Sequence, residues 1–372
     1  MKILYIVNLP APYMVNFLNE LGKLSDLTAV FEKSDSSERD KSWQKYNFLS
    51  FRGIVLKGIP FSADSSFSPQ VISHIKKNVY DSIIVANPTT PTGIIAMVYM
   101  NFKKIPYSIR CDGGFAGSQK GLKEYIKKKI FRSAVFWLST AVEADNYLLS
   151  YGAKKDTIFR YPLSTLYAAD ILSKPLSTEQ KKAIRKDLHI EADFVILSVG
   201  QFIYRKGFDV LLDACKNLKK DSSIAVYIIG GEPTKSMRRF CIEHQLKHVT
   251  FLPFMLKDQL QKYYQAADVF VFPTREDIWG LVINEAMANG LPIISTNRCI
   301  AGLELVVDDE NGYIVPVNNA DAIALKINRI VENQIMRLEM AQSSLDKIRH
   351  YTLENMAKMH MEILEKYREK RL

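Results

Sequence analysis

Carboxylates and backbone amides crowd into one stretch of the chain, Asp268 to Ser295 (DVFVFPTREDIWGLVINEAMANGLPIIS). Glu276 and Asp277 fall on a polar elbow, and Glu285 falls inside an otherwise apolar helical segment, Leu281 to Ala288. Gly280, Leu281 and Val282 open that segment, and the N–H groups of a helix's first turn have no intrahelical partner and attract an anion. A place that takes an anion and sets carboxylates beside it suits a ligand carrying both phosphates and hydroxyls, such as a nucleotide sugar. Glu276 and Asp277 also admit a plainer reading, because acids are favoured near any helix N-terminus.

A second stretch, SVGQFIYRKGFDVLLDA (Ser198 to Ala214), has paired cations where a strand ends and a helix begins. Gly200 closes the strand, Arg205 and Lys206 occupy the loop, and Gly207 opens the helix. A diphosphate placed there would be neutralised by charge-assisted hydrogen bonds. A solvated loop pair is the alternative for the two cations. Gly231, after a further strand, lets backbone approach a ligand closely. Asp112, within RCDGGFAG, also ends a strand. No Asp-x-Asp pair stands on a strand-end loop, so no metal is expected, and no cofactor.

These residues must be positioned by alternating strands and helices. In the first half, strands are read at Ile3–Val7, Leu27–Phe31, Gly53–Leu56, Ser82–Ala86, Tyr107–Arg110 and Val135–Leu138, with helices between them, among them Tyr13–Leu24 and Thr92–Phe102. The polar stretch Glu32–Gln44 reads as a mobile loop, and Ser173–Thr178 as a linker. The second half repeats the pattern, with strands at Val195–Val199, Ala225–Ile229, Val249–Leu252, Val269–Phe272, Ile293–Ser295 and Tyr313–Val315. Such alternation implies doubly wound parallel sheets, an α/β class whose ligands bind at the carboxyl ends of strands.

The run Pro273 to Pro292 resembles the signature of family 4 retaining glycosyltransferases of the GT-B fold, in which two Glu residues are separated by seven others. Glu285 matches the second. Asp277 stands at the position of the first, and Glu276 lies one place too early. The resemblance implies two Rossmann-like, doubly wound domains facing each other across a cleft. They would span 1–170 on the acceptor side and 171–352 on the nucleotide-sugar side, with a last helix (353–372) returning to the first domain. It also implies that Glu285 accepts from ribose hydroxyls, the acid at position 277 from a donor-sugar hydroxyl, and Lys206 from the family's lysine position binds phosphate. Gln201 replaces the family's arginine; Arg205, one place before Lys206, is the candidate to compensate for it, although its side chain is expected to point elsewhere. Met255, after FLPF, would lie near the base, although a strand end packing its own core is the alternative. Asp112 would carry over from a His-Asp pair whose histidine is Cys111 here. Glu276, Asp277 and Asp112 are therefore the candidate catalytic acids. In an extended elbow neighbouring side chains diverge, so Asp277 is expected toward the donor sugar and Glu276 toward solvent or a basic group. Fragments such as NLPAPY and RYPLSTL resemble capsule and exopolysaccharide members, which implies a glycan or lipid-linked acceptor.

Composition agrees with two ordered domains: 372 residues, 47% apolar and 24% charged. No apolar run is long enough to span a membrane, the amino-terminal residues read as a strand rather than a leader, and the four cysteines form no C-x-x-C. A cytoplasmic protein is expected, at or near the inner face of the cell membrane. The net charge of +10 suits anionic partners, but no nucleic-acid module is present. The helix Lys120–Arg132 (KGLKEYIKKKIFR) carries Leu122, Tyr125, Ile126 and Ile130 on one stripe and lysines elsewhere. It reads as a contact for an anionic membrane or as an ordinary surface helix. A nucleotide-sugar epimerase and a non-catalytic two-domain sugar-binding protein are the rival functions.

Overall fold

Short apolar runs become strands buried on both faces, as a parallel sheet covered by helices requires. The computed structural model describes residues 1–35, 47–117, 121–218 and 223–369. It forms two units, Met1–Thr165 with Tyr351–Leu372, and Leu166–His350, each built on its own parallel sheet.

The first unit runs β1 (Lys2–Val7), α1 (Pro12–Leu24), β2 (Asp26–Phe31), β3 (Arg52–Val55), β4 (Ile59–Ser62), β5 (Ser65–Phe67), α2 (Val71–His74), β6 (Ser82–Val85), α3 (Pro91–Lys103), β7 (Ser108–Arg110), α4 (Leu122–Phe131), β8 (Trp137–Ser139), α5 (Val142–Ser150) and β9 (Ile158–Arg160). The sheet order is β3-β2-β1-β6-β7-β8-β9, with neighbours parallel, so the order reverses between β1 and β6. Leu4, Ile6, Val30, Val85, Ile109 and Trp137 form its core. Thr90 caps α3 by accepting from Gly93 N–H, and Pro91 follows, a favourable start for a helix. The sequence reading did not include the antiparallel β4–β5 hairpin or β9. Of the stretch expected to be a mobile loop, 36–44 lie outside the described residues. Glu32 departs from that reading: it is buried, accepting from Ser66 N–H at 3.2 Å and from the Thr90 hydroxyl. The chain's last helix, Leu353–Glu369, is part of this unit, its His360 ring lying 4.7 Å from that of Phe17 on α1.

The second unit runs α6 (Thr178–Asp187), β10 (Phe194–Val199), α7 (Phe208–Cys215), β11 (Ile224–Ile229), α8 (Lys235–Glu243), β12 (Val249–Leu252), α9 (Lys257–Ala266), β13 (Val269–Phe272), α10 (Leu281–Ala288), β14 (Ile293–Thr296), α11 (Ile300–Leu305), β15 (Gly312–Val315), α12 (Ala320–Glu332) and α13 (Gln334–Ile348); the last helix is then α14. The strand order β12-β11-β10-β13-β14-β15 reverses between β10 and β13. The two loops singled out from the sequence follow those two strands. They therefore flank the crevice where open α/β sheets take their ligands.

Candidate active site

The β13–α10 elbow is held by backbone, not by chance of side-chain packing. Asp277 N–H donates to Arg298 O at 2.8 Å and Ile300 N–H to Asp277 O at 3.2 Å. Trp279 is buried and its indole N–H donates to Asn284 Oδ1 at 2.9 Å, fixing the approach to α10. Gly280 has φ 101°, and a Cβ there would lie 2.8 Å from Cys299 Sγ. Only glycine fits both the backbone conformation and the space. Leu281 and Val282 then provide the first amides of α10.

The β10–α7 loop is stitched to this elbow. Arg275 N–H and Thr274 Oγ1 both donate to Arg205 O, at 2.7 and 2.9 Å, and Arg205 Nη1 donates to Glu276 O at 2.8 Å. Gly207 has φ 69°, and a Cβ there would meet Pro273 O at 2.1 Å. The next loop closes in as well, since a Cβ at Gly230 would lie 2.0 Å from Gly200 O. Gly231 follows at the end of β11, adjacent in the sheet to β10.

Within this frame Lys206 Nζ sits 2.5 Å and Arg205 Nη1 3.2 Å from the same oxygen, Oδ2 of Asp277. Asp277 is buried, with a side chain 10% exposed. Lys206 also lies over the Phe272 ring, 4.9 Å from its centroid. The expectation that Arg205 points elsewhere is overturned. Tyr204–Lys206 form a 3-10 turn, and the backbone bonds to the elbow bring the guanidinium to Asp277. Glu276 turns the other way, to Arg298, with about half of its side chain exposed. Spacing and not side-chain length therefore decides which acid joins the cations.

Glu285 lies one turn into α10 and is half-buried. Tyr264 Oη, on α9, donates to its Oε2 at 2.9 Å. Burial pushes the Glu285 carboxyl up to about 7, against the lowering by the Tyr264 hydrogen bond and the Lys257 charge. Gly200, Arg205, Lys206, Gly280, Leu281, Val282, Asp277 and Glu276 thus share the two loops at the point where strand order reverses. Met255 stands apart from them, after β12, the edge strand two places from β10.

Asp112 belongs to the first unit, just beyond β7. Its Oδ1 accepts from Arg110 Nε at 2.7 Å and from Tyr161 Oη at 2.6 Å. Arg110 is fully buried, between the rings of Phe17 and Tyr161, 5.0 and 5.2 Å away. A buried cation of this kind needs its carboxylate partner. Asp112 keeps about a quarter of its side chain exposed.

Arg275, Arg298, Tyr264, Arg110 and Tyr161 were missed in the sequence. Arg275 holds Asp209 by two bonds of 2.8 and 2.6 Å and stacks on Tyr204, 3.9 Å from its centroid. Its place beside Glu276 in the elbow was a usable signal. Tyr264 carried none, being 21 residues from Glu285.

Part of the chain resembles known proteins in sequence, and nearly all of it in fold. Residues 179–346 match the family described as glycosyl transferases group 1. An uncharacterized glycosyltransferase of Methanocaldococcus jannaschii is 31% identical over 188 residues, covering 49% of this chain and 48% of that one. A second from the same organism is 22% identical over 322 residues, 84% of this chain and 85% of that one. The chain spans about half the length of the first of these, and of a D-inositol 3-phosphate glycosyltransferase of Xylanimonas cellulosilytica. In fold, the chain is similar to HepE of Anabaena, crystallised with UDP: TM-score 0.79 and 15% identity over 98% of this chain and 100% of that one. WaaG, a glycosyltransferase involved in lipopolysaccharide biosynthesis, gives a TM-score of 0.69 at 13% identity, covering 97% and 99%. The fold is GT-B.

Among the described residues no helix is long and apolar enough to cross a membrane. The basic helix read at Lys120–Arg132 is α4. Lys120 lies outside the described residues. Lys127 is not on a free basic face: its Nζ donates to Tyr147 Oη at 2.8 Å and lies 4.0 Å from the Tyr151 centroid. Tyr125, on the apolar stripe, is 66% exposed, which the reading as an ordinary surface helix with that stripe in the core does not provide for.

Proposed function

We propose that this chain is a retaining glycosyltransferase. It moves a sugar from a nucleotide-diphosphate donor to a glycan or lipid-linked acceptor, in the cytoplasm, during synthesis of a cell-surface polysaccharide. The observation that carries the reading is the convergence of Arg205, Lys206 and the start of α10 at the reversal of strand order in the second unit. Two cations and a helix N-terminus are suited to a diphosphate. The likeness to a protein crystallised with UDP-glucose supports the same ligand class.

In this reading the diphosphate takes Lys206 and Arg205 away from Asp277, whose carboxylate is then free to accept from a hydroxyl of the donor sugar. The cations and the amides of Leu281 and Val282 meet the charge that grows on the leaving phosphate, and no metal is invoked. Glu285, once ionised, accepts from the ribose hydroxyls. Asp112, its Oδ1 already saturated by Arg110 and Tyr161, offers Oδ2 to the acceptor side of the reaction. Attack from the face on which the phosphate departs keeps the anomeric configuration. A peripheral contact with an anionic membrane would bring a lipid-linked acceptor to the enzyme.

The experiment is a panel of nucleotide sugars screened by thermal shift, since a ligand stabilises the fold it binds, followed by calorimetry on Lys206→Ala. That variant should weaken UDP binding by about 1.5–3 kcal/mol, the scale of a hydrogen bond to a charge. Unchanged affinity would remove Lys206 from the donor site. The stereochemistry of the product, read by NMR on the new glycosidic bond, separates retention from inversion.

A further inference from the structure

The β4–β5 hairpin is folded against its own polarity. Two of its serines face inward: Ser65 and Ser66 are buried, and Ser66 Oγ donates to Glu32 O at 2.6 Å. Its large apolar side chains face out, with Ile59 71%, Phe61 72% and Phe67 38% exposed. Ile59 pairs with Phe67 across the ribbon, so those two share a face, and Phe61 falls where the register shifts between Pro60 and Ser62.

The neighbouring helix repeats the pattern. Ile94, Val98 and Phe102 on α3 are 39%, 48% and 78% exposed. Spaced four apart, they form one continuous stripe. Thr92 Oγ1, in the first turn of α3, donates to Ser66 O at 2.6 Å and accepts from Ser68 N–H at 2.9 Å. The hairpin and the helix are thereby tied into one surface. Single exposed apolar residues need no explanation, but six large ones on two adjoining elements mark an interaction site.

The charge around this surface is basic. Lys57, Lys103 and Lys104 are exposed, and Lys33 Nζ caps the hairpin turn at Ala63 O, 3.0 Å away. The helix sequence PTGIIAMVYMNFK contains no Asp or Glu; Asp64 is the one acid in the hairpin turn. A second copy of this chain, meeting the same surface about a two-fold axis, would set lysines against lysines. A sheet of negative charge over an apolar layer is the complement.

We propose that the outer faces of the β4–β5 hairpin and α3 dock on an anionic lipid bilayer. Ile59, Phe61 and Phe102 enter the boundary between headgroups and acyl chains, and the lysines rest on the headgroups. This deepens the membrane contact of the proposed function and moves it from α4 to a surface that the sequence reading passed over.

The test uses the full chain and vesicles of phosphatidylcholine with or without phosphatidylglycerol. Co-sedimentation is expected only with phosphatidylglycerol, weakening as salt rises. Phe61→Ser with Phe102→Ser should reduce it by at least about tenfold, whereas Lys128→Glu with Lys129→Glu on α4 should leave most of it. Both phenylalanines are exposed, so the melting temperature and its rise with UDP should be unchanged in the double variant. Phe61→Trp should shift its fluorescence to the blue on the anionic vesicles alone, a readout that does not depend on the serine variants. Binding lost with the α4 changes and kept with the serines would overturn the assignment. So would a dimer, seen by sedimentation velocity, that the serine changes dissociate while vesicles bind nothing. Failure of the glycosyltransferase reading would appear separately, as no stabilisation by UDP.

Discussion

At the scale of single residues, Asp277 is the one whose role the geometry changes most. From spacing alone its loss should not touch affinity for the nucleotide. With Lys206 at 2.5 Å and Arg205 at 3.2 Å on one oxygen, the carboxylate competes with a diphosphate for the same two cations. Asp277→Asn should therefore tighten UDP binding by up to about 2 kcal/mol, the worth of a charge-assisted bond released, while sharply lowering turnover. Calorimetry beside a transfer assay checks both halves, and weaker UDP binding would mean the acid supports the cations instead of occupying them. Glu276→Ala removes an exposed ion pair with Arg298 and should change either quantity by less than about fivefold. Glu285 supplies a second, pH-linked expectation. Its carboxyl is raised to about 7 in the free protein, and ribose hydroxyls donate more strongly to its ionised form. Binding thus draws the proton off, so affinity should fall as pH drops below 7. UDP-glucose, whose diphosphate ester does not titrate there, is the right probe. Glu285→Gln should bind more weakly and without that slope.

At the scale of elements, three glycines decide whether the loops can meet. Gly207 is the sharpest case, because its left-handed backbone and its 2.1 Å approach to Pro273 O would each exclude a side chain. Gly207→Ala should cost about 1–3 kcal/mol in stability. It should also push the β10 loop off the elbow, so UDP binding suffers together with the melting temperature. A variant that melts lower but binds UDP normally would show the contact to be structural only. The hairpin and α3 make the converse point: there, short side chains pack inward and large ones are left outside, so an element's local polarity pattern did not report its buried face.

At the scale of the whole molecule, the last helix belongs to a unit whose other elements end near residue 165. Leu353, Met356, Ala357, His360, Ile363 and Leu364 of α14 are all buried, and each large apolar one contributes ~1.5–3 kcal/mol on burial. Removing 351–372 should therefore lower one thermal transition markedly. A second transition, the one raised by UDP, should stay where it was, since the donor loops belong to Leu166–His350. Differential scanning calorimetry with and without UDP reads the two together. A single transition that UDP raises in the truncated chain as in the full one would contradict this division of labour.

The sequence by itself determined the class of fold, because β–α alternation with doubly buried apolar runs has few other solutions. It also singled out the β13–α10 elbow as the candidate site, since Pro273, Gly280, Glu285 and Gly290 combine strand end, loop and helix at a fixed spacing. It did not determine which side chains meet. The pairing of Lys206 and Arg205 with Asp277 spans about seventy positions and depends on strand order, which reverses between β10 and β13. Nor could it find Tyr264 for Glu285 or Tyr161 for Asp112, because a hydrogen bond between distant elements leaves no periodicity behind. The inverted hairpin was silent for the same reason. Ser66 is buried because Glu32, just after β2, is there to receive it, and that is a fact of tertiary packing alone.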